Sequence, residues 1–328
     1  MALVGPRRYS ERLGVIDGTQ LDEACARFDL GSVEDAAPAS SGLWGQNILL
    51  TTTEGEFVLR GNPEPPHQLR KERAVAEALF ERSSLAVPWP YLVDDDTDLF
   101  GWTYALMPLL PGRSGAVLWT EADDRARVEL AAAHGDALAR LHQTTFPAAG
   151  PYEPDHDRFV PADYRTWTLE RIDSLRGLCR AVDALTSADE RFIDALVESS
   201  ASALEEPFDP VVVHHDFSLA NLTYTQAAGR GYSAAGVFDF GEAHIGDGDE
   251  DLVRFLFRRE REQRHAFVET YRRARPARPG ATDRVALYGL ADLLFMWNVS
   301  HRVTNWFADS QFVDVAVPVI ENAQAASP

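Results

Sequence analysis

The sequence predicts an α+β chain in which a small sheet-bearing lobe is followed by a larger, mainly helical lobe. Three observations lead there. Segments of strand character crowd into the first third, helical periodicity dominates the rest, and Leu110-Pro111-Gly112 interrupts both patterns. Residues 20–30 space their apolar side chains as a short first helix does. Residues 47–53 have the β-branched character of a strand, Glu54-Gly55 is a turn, and residues 56–60 form a second strand, giving a hairpin. Leu69, Ala76, Leu79 and Phe80 mark an amphipathic helix over 68–82. Residues 87–93 and 102–109 read as two more strands, separated by a solvated acidic turn, Asp94-Asp95-Asp96. Helical runs then cover 121–142, 166–185 and 189–204. The boundary divides the chain into lobes 1–110 and 111–328 around a hinge at 106–112. Two such lobes meet at a ligand cleft.

Composition narrows the partners. The 328 residues carry 31 Lys and Arg against 51 Asp and Glu, a formal charge of −20. That balance excludes a general nucleic-acid binder and an anionic membrane surface, both of which call for basic residues. Hydrophobic residues make up 45%, with 17 Phe and 7 Trp, enough to bury a core. Cys25 and Cys179 stand alone without Cys-x-x-Cys spacing, which argues against a disulfide framework or a thiolate zinc site. No apolar run reaches membrane-span length, and the first thirty residues mix charges unlike a signal peptide. The expectation is a soluble, cytoplasmic monomer or homodimer. Lys71 is the only lysine, so nearly every cation is Arg.

The sharpest motif starts where Val211-Val212-Val213 runs into His214-His215-Asp216 and, five residues after that Asp, Asn221. A second strand ends at Phe238-Asp239-Phe240-Gly241, with a polar turn at 225–233 between the two segments. That hairpin is expected to bring Asp216, Asn221 and Asp239 to one end of the same sheet. The residue types suit phosphoryl transfer from a nucleotide. An Asp can orient an acceptor hydroxyl and take its proton, while an amide oxygen and a carboxylate are hard ligands for Mg²⁺.

These residues resemble the aminoglycoside phosphotransferase family, within the larger group that includes choline and homoserine kinases. The resemblance rests on residues 214–221, on 239–247 (Asp-Phe-Gly-Glu-Ala-His-Ile-Gly-Asp), on Asp251-Leu252, and on the helix holding His134, Gly135, Leu138 and His142. It spans roughly residues 35–260. It implies a bilobal protein-kinase-like fold, with ATP or GTP and Mg²⁺ in the cleft and a small-molecule hydroxyl as acceptor. Asp216 matches the catalytic base, and Asn221 and Asp239 match the metal ligands. Arg60 stands where the family usually has a phosphate-pairing Lys, with Glu72 as the acid that braces it. Lys71, as Glu72's neighbour on the helix, is expected to point elsewhere. Ser41 and Gly42 fall in the phosphate-covering loop. Met107 and Leu109 fall in the adenine hinge, where Pro108 lacks an N–H and the donor must come from Met107, Leu109 or Leu110.

Other residues have plainer readings. His214 is expected to bond backbone near the loop, and His215 to act as a spacer. Asp247 and Asp251 are expected to cap a helix or anchor the loop. Trp297, His301, Trp306 and Phe307 read first as core. The acceptor wall is expected from residues 164–171, the loop at Ser218 and residues 292–309, with Trp167, Ser218, Asp292, Trp306 and Asp309 as contacts. The function expected is an ATP-dependent O-phosphotransferase, most simply one that inactivates an antibiotic. A metabolic kinase for choline, homoserine or a sugar, and a catalytically silent nucleotide-binding protein, stay open as alternatives.

Overall fold

The computed structural model describes residues 5–39, 45–227, 230–257, 259–307 and 310–326. The N-terminal region starts with a small ladder, β1 (Arg7–Ser10) and β2 (Gly14–Ile16), then α1 (Gly18–Ala26). Asp17 caps α1 and exchanges bonds with Gln20, a reciprocal cap of about 1 kcal/mol. β3 (Val33–Pro38), β4 (Asn47–Thr52) and β5 (Gly55–Gly61) follow. Then come α2 (Gln68–Phe80), β6 (Leu92–Asp94) and β7 (Tyr104–Pro108). Among the described residues β3-β4-β5-β7-β6 form one antiparallel sheet.

Strand periodicity decides what each face of this sheet meets. Ile48, Leu50, Leu59, Tyr104 and Leu106 join the cluster of Leu21 and Cys25 under α1. Val58, Ala105 and Met107 point the other way, into the cluster that holds Leu69, Val75 and Leu79 of α2 and continues through the helical region. Arg60 shares the parity of Val58 and so emerges on the α2 face.

The remainder is mainly helical. It comprises β8 (Arg113–Ser114), α3 (Gly115–Glu121), α4 (Asp124–Leu141), β9 (Tyr152–Glu153), β10 (Arg158–Phe159), α5 (Tyr164–Arg180) and α6 (Ser187–Ser200). Next are β11 (Val211–Val213), β12 (Leu222–Ala227), β13 (Arg230–Val237), β14 (His244–Gly246) and α7 (Leu252–Leu256). The chain closes with α8 (Arg261–Ala274), α9 (Ala281–Val299) and α10 (Phe312–Ala326). Side chains of Asp123, Asp163 and Thr186 cap α4, α5 and α6. At Gly135 in α4, a Cβ would collide with the Phe267 carbonyl of α8, so glycine sets how closely these helices cross. Among the described residues no helix is long and apolar enough to cross a membrane.

Several expectations need correction. Of the expected 87–93 strand only Leu92 and Val93 form, as the start of β6, because Pro88 and Pro90 supply no ladder N–H. The expected 121–142 helix is broken at Ala122, whose extended backbone lets Asp123 start a new helix. Asp94 is not a solvated turn residue: it ends β6, only 11% exposed, paired with Arg27 at 3.0 Å. β11 pairs with β14, whereas β12 pairs with β13 and β8, so Asp216 does not share a sheet with Asn221 and Asp239.

Candidate active site

Three wholly buried valines carry β11 to the loop at 214–221. A buried carboxylate anchors the root of that loop. Asp251 accepts the His214 N–H at 2.8 Å on one oxygen and the His215 N–H at 2.7 Å on the other. His142 Nε2 approaches the same carboxylate at 3.1 Å. His214 Nε2 bonds the Phe238 carbonyl at 2.9 Å, and the Phe238 N–H donates to the Asn221 carbonyl at 3.1 Å. These bonds, not a shared sheet, bring the two motifs together. The loop-anchoring role of Asp251 and the backbone role of His214 agree with the sequence reading.

His215 and Asp239 both hold left-handed backbone, φ 66° and 68°, a conformation that strains a non-glycine residue and concentrates at functional sites. His215 is more than a spacer, because it accepts a short bond from Arg171 on Nε2. Burial, with Arg171 beside it, pushes the imidazole far below its usual pKa, so the ring is a neutral acceptor. Arg171 also pairs with buried Glu250 at 2.6 Å, and Tyr164 donates to Glu250 at 2.8 Å. Burial works to raise the Glu250 carboxyl; His244 and Arg171 outweigh it and hold it well below the usual range.

Asp216 is 41% exposed. The Asn221 amide donates to its carbonyl and to its Oδ2, each at 2.9 Å. Donating through Nδ2 turns the Asn221 Oδ1 to the opposite side, where it can meet a cation. Arg254 Nε lies 3.5 Å from Asp216 Oδ1, and Arg254 Nη2 lies 2.6 Å from Asp292. Sequence reasoning missed Arg254, because nothing in its local pattern on α7 signals a partner so distant in the chain. Asp292 is 1% exposed, so it sits behind Arg254 rather than on an acceptor wall. Burial pushes its carboxyl up to about 6 against the pull of Arg254, with Asp216 adding to the rise.

Arg60 Nη2 contacts Glu72 at 2.9 Å and Asp239 at 2.8 Å. Gln68 and Tyr91 each donate to Glu72 at 2.9 Å. Burial raises the Glu72 carboxyl, and Arg60 opposes the rise. Burial also works against the charge on Arg60, but Asp239 and Glu72 more than restore it. A Cβ on Gly241 would come within 2.9 Å of Gln68 Nε2, so the segment after Asp239 passes close to α2. Lys71 is half-buried; burial lowers its pKa against the opposing pull of Glu242 and Glu72. The ion pairs with Glu72 and Asp239 belong to Arg60 and not to Lys71.

At the hinge, Met107 pairs with Val58, and the Leu109 N–H donates to the Glu56 carbonyl at 3.0 Å. Strand parity and this bond therefore commit Met107 and Leu109 to β5 and turn the Pro108 C=O away from it. The Leu109 N–H is thus corrected as the adenine donor. Trp167 packs at a tilt against Tyr164 and His244 and lies under Arg171. Ser218 is half-buried and its N–H donates to the Asp216 carbonyl at 2.8 Å. Trp306 is 51% exposed, whereas Trp297 is core. Ser41, Gly42 and Asp309 lie outside the described residues.

The model of a phosphotransferase enzyme family, APH, matches residues 35–288. The chain belongs to this family. As a member of it, the chain is a phosphotransferase of the kinase type. Its fold is that of aminoglycoside phosphotransferase APH(4)-Ia, solved as a thermostable mutant with ADP and hygromycin B. That comparison has 18% identity, a TM-score of 0.64, and coverage of 94% of this chain and 98% of the other. The GDP complex of aminoglycoside 2'-phosphotransferase-IIIa is similar at 16% identity, a TM-score of 0.62, and coverage of 96% and 99%. ADP-bound APH(2'')-Ib is similar at 16% identity, a TM-score of 0.57, and coverage of 95% and 99%. No curated protein matches the chain in sequence.

Proposed function

We propose that this phosphotransferase moves the γ-phosphoryl group of ATP or GTP to a hydroxyl of a small molecule, with Asp216 as the base. The observation that carries the reading is the Asn221 bridge. One amide donates to the Asp216 carboxylate at 2.9 Å and leaves its own oxygen without a partner among the described residues. Base and metal ligand are thereby set by a single side chain. Mg²⁺ fits the donors present, because Asn221 Oδ1 and the 37%-exposed Asp239 are hard oxygens. Mg²⁺ is commonly held by one or two protein groups, with phosphate and water completing the shell. When bound, the ion neutralises charge on the phosphate oxygens.

The remaining work falls to this chain's own residues. Arg60 is held to one position by Glu72 and supplies a cation toward the phosphates. The Leu110 N–H and Pro108 C=O are the groups free for a purine edge. Asp216 orients the acceptor hydroxyl and takes its proton as the new O–P bond forms and the bond between the γ-phosphorus and the bridging oxygen breaks, releasing ADP or GDP. The two lobes, 1–110 and 111–328, hold nucleotide and acceptor on opposite sides of the cleft, with Trp167, Ser218 and exposed Trp306 on the acceptor side.

The acceptor we favour is the hydroxyl of a ring-containing antibiotic, in keeping with the aminoglycosides bound by proteins of this fold, such as hygromycin B. The test incubates the protein with Mg·ATP or Mg·GTP and a panel of aminoglycosides, nucleoside antibiotics, choline, homoserine and sugars. Products are read by mass for gain of one phosphoryl group. Phosphorylation confined to choline, homoserine or sugars would replace the antibiotic reading with a metabolic one. No product and no nucleotide-induced thermal shift would remove the kinase reading.

A further inference from the structure

We propose that Arg254, braced by Asp292, is a positioning residue for the base: it steadies Asp216 Oδ1 while Asn221 holds Oδ2. The inference rests on Asp216 being the base, and it assigns Asp292 to this pair instead of to the acceptor.

The geometry is asymmetric. The guanidinium lies 2.6 Å from Asp292 but 3.5 Å from Asp216. Asp292 thus draws Arg254 back from the base. Oδ1 keeps a cation close enough to fix its direction, yet stays open to accept a hydroxyl proton. If Arg254 closed fully on Asp216, both carboxylate oxygens would be occupied, one by Arg254 and one by Asn221.

Packing alone gives no reason for the pair. Asp292 lies on α9 with neither oxygen in a well-formed hydrogen bond among the described residues, and the Arg254 Nε is likewise buried without one. A buried ion pair is commonly matched or bettered in stability by apolar side chains of similar volume. Arg254 is 15% exposed on the five-residue α7, whose Leu252, Val253, Phe255 and Leu256 already supply its core contacts. What the charged pair adds is a directed contact at Asp216. The neighbouring cation, Arg171, cannot substitute, because it is committed to Glu250 and His215.

The test uses the full chain, with Mg·ATP and water as the acceptor, so that no acceptor need be known. It compares kcat, the KM for ATP, and ADP affinity by calorimetry for R254M, R254K, D292N and the double variant R254M/D292L. R254M should lower kcat about ten- to a hundred-fold, the scale of a misplaced reacting group, while the KM for ATP and ADP affinity stay within about twofold. R254K should recover part of kcat, since a point charge can serve one partner but not span both. D292N should also lower kcat, by letting Arg254 close on Asp216. The double variant should be no slower than R254M, because Asp292 acts only through Arg254. It should also unfold no earlier than wild type, which keeps the test decisive if R254M alone folds poorly. A folded R254M or double variant with wild-type kcat would overturn the proposal. So would a kcat loss matched by an equal loss of ADP affinity. A wild-type chain that binds ADP but shows no Asp216-dependent turnover would instead remove the base assignment, and this inference with it.

Discussion

Asp251 offers the most direct test of how the loop at 214–221 is held. Its buried carboxylate accepts two successive backbone N–H groups, at 2.8 and 2.7 Å, and His142 at 3.1 Å. Each hydrogen bond to a charged acceptor contributes about 1.5–3 kcal/mol, and each buried donor left unmet costs a similar amount. Asp251→Ala removes all three, a loss of roughly 4.5–9 kcal/mol. That compares with a total stability of about 5–15 kcal/mol for a typical protein, so this variant should fold poorly or not at all. Asp251→Asn is the informative change. It keeps one oxygen but turns an NH₂ group toward a donor, so about 2–4 kcal/mol should go. The loop root should shift with it, and displacement of a reacting group by about 1 Å can cost a hundredfold in rate. Urea unfolding and nucleotide turnover measure the two effects separately. An Asn variant with unchanged midpoint and unchanged kcat would refute the idea that these N–H bonds position Asp216.

Four further outcomes are expected. Asp216→Asn should lower kcat by about 10²–10⁴ while ADP still binds, as calorimetry would register; near-normal turnover would mean a different base. Asp239→Ala should weaken Mg²⁺-dependent nucleotide binding more than Asn221→Ala, because only the carboxylate carries charge; equal small losses would put the metal elsewhere. Arg60→Ala leaves Glu72 buried without its cation, so it should cost about 3–5 kcal/mol in denaturant unfolding and raise the KM for ATP. Arg60→Lys should keep much of both, and an inactive Lys variant beside an active Ala variant would contradict the cation's role. Gly135→Ala forces α4 away from the Phe267 carbonyl and should destabilise by about 1–3 kcal/mol, whereas a neutral result would mean that the helix crossing relaxes freely.

What could be read from the sequence follows the range of the interactions. The loop from His214 to Asn221 and the segment from Asp239 to Gly241 lie in short runs whose residue types suit phosphoryl transfer, whereas the pairing of Arg60 with Glu72 comes from the family resemblance. The strand and helix carrying Arg60 and Glu72 were also evident from periodicity, so their meeting could be foreseen. The placement of Asp216 could not, because β11 and β14 are three residues each and His244–Gly246 carries no strand pattern strong enough to notice. The Leu109 donor failed for a related reason. Which N–H faces the cleft depends on strand register, and register appears only when β5 and β7 are paired. Arg254 and Asp292 lay furthest beyond reach, since each is an ordinary polar position on its own helix and gains meaning only from the other.

The scarcity of lysine acquires a physical sense in this structure. With 51 acids against 31 Lys and Arg, carboxylates outnumber cations over the chain as a whole. A planar guanidinium can meet two partners in different directions, which an ammonium on a single stem does less well. Arg254 spans Asp216 and Asp292, Arg284 spans Asp247 and Asp249, and Arg176 spans Glu190 and Asp194. Arg171 joins Glu250 to His215, and Arg60 brings Glu72 and Asp239 to one nitrogen. Two of these bridges end on Asp216 and Asp239, and a third ends on the neighbour of Asp216. In this cleft arginine therefore does more than neutralise: it fixes how far apart the acids sit, and under the proposed function that separation sets where the base would meet a hydroxyl and where a carboxylate would meet a metal.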